Sequence, residues 1–349
     1  MTPRDARRGG AGSGPPDRPP APPLARVEAL MRQAAGPGTL GEALRHHLGA
    51  GGKRLRARLA LRAAADAGLD RDAAVVWAAA CELLHNATLV HDDLCDRDPQ
   101  RRGRLAVWAR FGETAAVCLG DLLLTEAVAV LDRLPAGAGR DAARGLLTGT
   151  ARALAEGQVR EVDAAAAGVP DAAACTAVAE GKTVPLVTLP VDGVLALAGA
   201  DAPARQAARA AFAHLGHAYQ ILDDVQDLVP EGARPAGQDL RRRVPNAALA
   251  AFRERAGSLD CARLDRDWRD GRMAERADAW AARIAASPAP ADALARAGER
   301  IAAARAAAAE APPAARPGFA ELAGTLSGWL ARLEAATGPA APGRRAAGA

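Results

Sequence analysis

Long stretches of this chain contain little besides alanine, leucine, arginine and glutamate, all strong helix formers. The alternation of β-branched and aromatic residues that marks strands is nearly absent. Half of the 349 residues are hydrophobic but only 3% are aromatic, so alanine and leucine must fill the core. The chain is therefore predicted to be all-α. Helical patterns follow one another with short breaks, as at DAGLDRD (66–72) and RLPAGAGRD (133–141). No linker separates them, which predicts one domain over residues 24–335. Residues 1–23 are rich in Gly, Pro and Arg, and 336–349 read the same way; both are predicted to be disordered tails. The longest irregular piece inside the domain is 229–246, and a loop of that length is often functional.

Net charge is only +4, and arginine supplies it. Many arginines alternate with acids along helices, the pattern of a solvated face. A nucleic-acid surface would need a basic stripe with aromatics to stack on, so no nucleic-acid partner is expected. The five cysteines are scattered without a CxxC pair; this excludes a disulfide framework and suits a reducing cytosol. The N-terminus has no apolar signal core, and no uncharged apolar run is long enough to span a bilayer. A soluble, cytoplasmic protein is expected.

The helix predicted for 73–96 ends in HDDLCD. Residues four apart stack on one helix face, so Asp92 and Asp96 form a pair, with Thr88 and His85 on the same stripe. HAYQILDDVQD repeats the arrangement: Asp223 and Asp227 are four apart, Gln220 lies one turn above, and Asp224 parallels Asp93. A single acidic helix end is common on solvated surfaces. Two copies, each closing an apolar run, are harder to explain that way, because like charges one turn apart repel. Hard oxygen ligands select Mg²⁺ or Mn²⁺, and Mg²⁺ is typically held by one or two carboxylates plus substrate phosphates. Two such clusters would suit a diphosphate clamped between them.

Of 45 basic residues only two are lysine, Lys53 and Lys182, and each follows a glycine. An ammonium is a compact point charge that a planar guanidinium does not replace one for one, and glycine permits close approach of an anion to the backbone. Arg54 and Arg56 flank Lys53, Thr183 flanks Lys182, and Arg101 and Arg102 follow the first acidic motif. Two acidic clusters for metal and three basic ones for phosphate fit two diphosphate substrates.

In these motifs the chain resembles the trans-isoprenyl diphosphate synthases, the polyprenyl synthetase family that includes farnesyl and geranylgeranyl diphosphate synthases. GGKRLRARL, CELLHNATLVHDDLCDRDPQRRG, EGQVREV, EGKTVPL and GHAYQILDDVQD occur in family order over roughly residues 40–245. The resemblance implies a single-domain bundle of ten or more helices around a deep central cavity, usually a homodimer. It implies that Lys53, Arg56, His85 and Arg102 bind isopentenyl diphosphate, and that Arg101, Lys182, Thr183 and Gln220 hold the allylic diphosphate. Asp92, Asp96 and Asp223 would be the principal metal ligands, with Asp93, Asp224 and Asp227 in or beside the metal shell and Gln158 in the same cavity. About three Mg²⁺ ions per site are implied, Mn²⁺ being an alternative. After the second motif the family reads like GKxxGxDL followed by another lysine. This chain has ARPAGQDLRRRVPN instead, with no lysine, which leaves Arg234 and Arg241–Arg243 as substitutes. The family's usual phenylalanine before the glutamine is Tyr219, the only tyrosine.

In the family, side chains before the first motif form the floor of the pocket. Here Ala87, Thr88 and Leu84 occupy it, none of them a bulky aromatic, with Cys81 and Trp77 deeper. A C20 product, geranylgeranyl diphosphate, is expected, with farnesyl diphosphate the nearest alternative and a longer product if Trp77 points away. The rival readings are a terpene cyclase of the same helical class, a non-catalytic subunit and a purely structural helical protein.

Overall fold

The computed structural model describes residues 21–229 and 236–337. Among them are fifteen α-helices: α1 (Pro23–Arg32), α2 (Thr39–Leu48), α3 (Leu55–Asp66), α4 (Arg71–Cys95), α5 (Val107–Phe111), α6 (Glu113–Ala129), α7 (Ala138–Ala167), α8 (Ala172–Leu197), α9 (Ala202–Gln226), α10 (Gln238–Arg242), α11 (Ala247–Arg255), α12 (Ser258–Arg269), α13 (Met273–Ala285), α14 (Ala289–Ala308) and α15 (Arg316–Thr337). Only β1 (Gln100–Arg101) and β2 (Arg104–Leu105) interrupt them, as a two-residue hairpin. Arg102 and Gly103 at its tip both have positive φ, the backbone that a tight hairpin requires. The predicted tails overlap the ordered helices slightly, since α1 begins at Pro23 and α15 runs to Thr337; the rest of both tails lies outside the described residues. The 229–246 segment is not irregular throughout, because α10 forms inside it.

α4 occupies the middle of the bundle, packed on α1, α3, α6 and α8. Asp70 starts it by accepting from the Asp72 and Ala73 amides at 2.9 and 3.0 Å, an N-cap. It ends where Arg97 takes positive φ ahead of Pro99. Two helical segments reach the length and mean hydropathy of a membrane span, though Glu82 interrupts the first and Asp121 and Glu126 the second. For α4, 78% of the apolar window is buried inside the protein, the condition of a core helix. For Glu113–Arg133 only 44% is buried, which leaves α6 an apolar outer face.

α7 and α8 approach closely. A Cβ at Gly157 would stand 2.6 Å from the Gly181 carbonyl carbon, so only glycine fits there. This contact sets the residue after Gly181 beside α7 and fixes one wall of the site.

Candidate active site

Lys182 is that residue. Its Nζ donates to both Glu161 oxygens at 2.9 Å. The next residue, Thr183, donates to Gln220 Oε1, and Gln220 Nε2 donates to Asp224 at 2.8 Å. α8 thereby links α7 to the second acidic motif. It also faces the first: burial works against the Lys182 charge, but Glu161, Asp92 and Asp96 outweigh it and hold its pKa above the usual lysine value. The glycines before the two lysines both sit at close packing contacts. Gly181 meets α7, and Gly52 leaves room for the Arg102 guanidinium, which donates to the Gly51 carbonyl.

In the first motif, Asp92 is pushed up to about 6, chiefly by burial, with Asp96 and Glu161 adding repulsion that Lys182 only partly offsets. Burial also raises Asp96, against Arg242 and Lys182. Asp93 stands differently. It is 2% exposed, and Arg101 Nε donates to both its oxygens at 2.8 Å. Asp93 thus holds Arg101 in place.

The second motif is asymmetric too. Asp223 lines the cavity. Asp224 is buried and accepts from the Ala247 amide at 2.8 Å, and burial pushes it up to about 8. Asp227 accepts from the Gln238 and Asp239 amides at 3.1 and 3.0 Å, capping α10. Asn246 donates to the Asp224 carbonyl and to Asp239, both at 2.9 Å. Asp224 and Asp227 therefore bind the following loop.

A cavity of about 930 Å³ brings together Lys53, Arg56, His85, Arg101, Arg102 and Asp223. Two atoms from these walls, Arg56 Nε and His85 Nδ1, are buried with no hydrogen-bond partner, as is Gln158 Oε1. Burial, then Arg56, Arg101 and Arg102, keep His85 well below the usual histidine value, so its imidazole is neutral. A buried polar atom without a partner is costly, and the guanidinium and ammonium groups that line the cavity suit an anion. Glu82 accepts from the Ala57 amide at 3.1 Å and holds the start of α3 against α4, where Arg56 and His85 meet. α15 closes the far wall through Trp329, stacked edge-on with Tyr219 at 5.5 Å.

The expected floor is placed differently. Ala87 has no exposed surface and Leu84 only 1%, so neither opens to a cavity. Thr88 is half-buried and donates back to the His85 carbonyl at 2.8 Å. Trp77 does not line the cavity either. It is fully buried, donates to the Pro190 carbonyl at 2.9 Å and fills the space beside Gly193 of α8.

Sequence reasoning missed Glu161, although it stands one helical turn after Gln158. It also missed His47, whose ring bonds Asn86 Oδ1 at 3.0 Å, and the Trp329 wall. The carboxylates of Asp92 and Asp96 offer oxygen donors whose charge Lys182 and Arg242 only partly offset, which fits a hard divalent cation. Among the described residues no three acidic, histidine or cysteine side chains converge as a preformed metal site, so phosphate oxygens would have to complete one.

Residues 37–265 match the polyprenyl synthetase family model. The chain is 40% identical over 200 residues to (2E,6E)-farnesyl diphosphate synthase of Mycobacterium tuberculosis, covering 55% of this chain and 54% of that one. It is 34% identical over 211 residues to all-trans-nonaprenyl-diphosphate synthase (geranyl-diphosphate specific) of Rhodobacter capsulatus, covering 59% and 63%. The chain thus spans about half the length of the curated relatives it matches. A decaprenyl diphosphate synthase structure from Rhodobacter capsulatus superposes with TM-score 0.78 at 27% identity, over 89% of this chain and 96% of that one. A polyprenyl synthase structure from Caulobacter crescentus, complexed with calcium and isoprenyl diphosphate, gives 0.75 at 28% identity, over 87% and 94%. By its matched sequence and its fold, the chain belongs to the polyprenyl synthetase family.

Proposed function

We propose that the protein is a Mg²⁺-dependent trans-prenyltransferase that joins isopentenyl diphosphate to an allylic diphosphate. The observation that carries this reading is a cavity lined by Lys53, Arg56, Arg102 and His85, beside a separate cluster of Lys182, Asp92 and Asp96. One grip is made for each diphosphate. A terpene cyclase would need only the second grip, and a structural protein neither.

Lys53, Arg56, Arg102 and neutral His85 would bind isopentenyl diphosphate. Lys182 and Arg101, aimed by Glu161 and Asp93, would grip the allylic diphosphate, with Thr183 and Gln220 donating beside them. Asp92, Asp96 and Asp223 would hold the Mg²⁺, which when bound stabilises the charge on the leaving diphosphate. The allylic C–O bond breaks, the isopentenyl double bond forms the new C–C bond, and a proton passes to the departed diphosphate. Apolar helix walls keep water from the allylic cation.

Geranylgeranyl diphosphate is the proposed product. The relatives' names run from farnesyl to nonaprenyl, so the depth of the floor decides, and Trp77 wedged on α8 supports a short one. The exposed apolar face of α6, where Val117 is 44% accessible, suits a homodimer. The five free cysteines suit the cytosol.

The test is incubation with Mg²⁺, labelled isopentenyl diphosphate and each of three allylic primers, followed by product sizing. Incorporation into a C20 alcohol after phosphatase treatment is expected. No incorporation with any primer defeats the reading. Trp77→Leu should lengthen the product by at least one C5 unit; an unchanged length would remove Trp77 from the floor.

A further inference from the structure

The loop after the second motif lacks the family's lysines; Arg234 lies outside the described residues, and Arg241, Arg242 and Arg243 are not equivalent. Arg241 pairs with Asp278 and donates to the Ala236 carbonyl at 2.7 Å. Arg243 sits in the left-handed backbone region and donates to the Trp268 carbonyl at 3.3 Å. Both are turned to α13 and α12. Arg242 alone among these three crosses to the first motif, where its guanidinium pairs with Asp98 and stands 3.6 Å from Asp96. Asp98 is itself fixed: its amide donates to the Asp93 carbonyl at 2.9 Å, and its carbonyl accepts from Trp108 Nε1 at 2.7 Å.

Resting on the function proposed above, we infer that Arg242 is a positioning residue that couples metal loading to diphosphate binding by occupying Asp96 until both arrive. A carboxylate held by a guanidinium is a poorer ligand for a cation, so metal must displace Arg242 from Asp96. Asp98 keeps the freed guanidinium at the mouth of the site. There its planar fork meets the only new anion, the diphosphate, and can bind it with two parallel N–H groups. Neither ligand alone satisfies all the charges. Metal leaves Arg242 unpaired at Asp96, and diphosphate without metal meets the bare carboxylates. Each ligand therefore raises the affinity for the other, and that coupling is reciprocal.

The experiment measures Mn²⁺ binding to the full chain by electron paramagnetic resonance, with and without inorganic diphosphate, for the wild type, R242Q, R242K and R241Q. Thermal unfolding of each variant reports whether α10 stays seated. Wild type should bind Mn²⁺ more tightly with diphosphate present. R242Q should bind Mn²⁺ alone about threefold more tightly than wild type and lose a similar factor of the diphosphate enhancement, the scale of a partly exposed ion pair. R242K, with the charge but not the fork, should fall between, and R241Q should match wild type. The inference is overturned if R242Q equals wild type in both measurements, if it binds Mn²⁺ alone more weakly, or if R241Q reproduces its effect. A wild type that condenses substrates but shows no diphosphate enhancement sinks the role of Arg242 and spares the function; one that neither condenses nor binds sinks both.

Discussion

The two acidic motifs share the form DDxxD and the same position at the end of a long helix, yet they do different work. At the end of α4, Asp92 and Asp96 are left with raised affinity for protons; Asp93 is tied down by Arg101, and Asp96 has only Arg242 at 3.6 Å. At the end of α9 the proportion is inverted. Asp223 faces the cavity, while Asp224 and Asp227 hold the amides of Ala247, Gln238 and Asp239. Even the intervening Gln226 is held, accepting from Trp329 at 3.2 Å. The first motif stores electrostatic strain for a ligand to relieve, and the second invests most of its carboxylates in the loop that follows it. Spacing on a helix shows which residues share a face. It does not show which of them the rest of the chain has claimed.

The largest effect that can sharpen this contrast is at Asp92. Asp92→Asn should lower turnover by about a thousandfold, the scale of losing one preorganised charge partner in a transition state. Its unfolding midpoint without metal should not fall, because it removes repulsion with Asp96 and Glu161. A variant that loses its fold together with its activity would make the first motif structural like the second. Condensation assays and urea unfolding measured side by side decide this.

The basic surroundings of the first motif give the next effect. Burial, then Arg101, hold His47 down to about 4, below its usual 6.5. A base whose folded pKa is depressed contributes stability that is present above its unfolded pKa and lost as pH falls through the folded one. Stability should therefore decline between pH 6.5 and 4 by up to about 3 kcal/mol from this residue. Urea unfolding across that range should show the decline in wild type and a flatter curve in His47→Gln. An equally steep curve in the variant would assign the acid sensitivity elsewhere.

Asn246→Ala probes the second motif's brace. The side chain caps α11 by accepting from the Ala248 and Leu249 amides at 3.0 and 3.1 Å, and its amide bonds Asp224 and Asp239. The variant should lose about 2 kcal/mol of stability, a cap plus buried hydrogen bonds, with the activity loss following the fold loss. Full stability with lost activity would show that this network serves catalysis directly.

The contrast between the motifs also marks what sequence could reveal. α4 was predicted at 73–96 and runs Arg71–Cys95, because helical period and apolar content are local properties. The two lysines, the arginine pair and both motifs were legible for the same reason: charge reversals in an apolar chain are local and rare. Partnerships were not. Lys182 meets Glu161 across 21 residues, and His47 meets Asn86 across 39; these depend on how helices dock. The glycines before the lysines were visible, but their cause was the α7 backbone and the Arg102 side chain, which no spacing rule supplies. Trp77 was noticed, and its direction followed only from Pro190 and Gly193 on a helix more than a hundred residues away.

The smallest effect tests how far the second motif's brace extends. Trp329 lies on α15, beyond the residues matched by the family model, yet its Nε1 donates to Gln226 inside the motif and its ring meets Tyr219. Trp329→Phe keeps an aromatic ring and removes the hydrogen bond. It should cost about 1 kcal/mol, the usual net worth of one such bond. Because Trp329 and Tyr219 line the same cavity as Lys53 and Arg56, KM for isopentenyl diphosphate should rise about twofold, the ratio expected when less than that energy reaches the substrate. KM for the allylic primer, proposed above to bind on the Lys182 side, should stay unchanged. A rise confined to the allylic primer would place α15 against the other diphosphate and exchange the substrates assigned to the two sides.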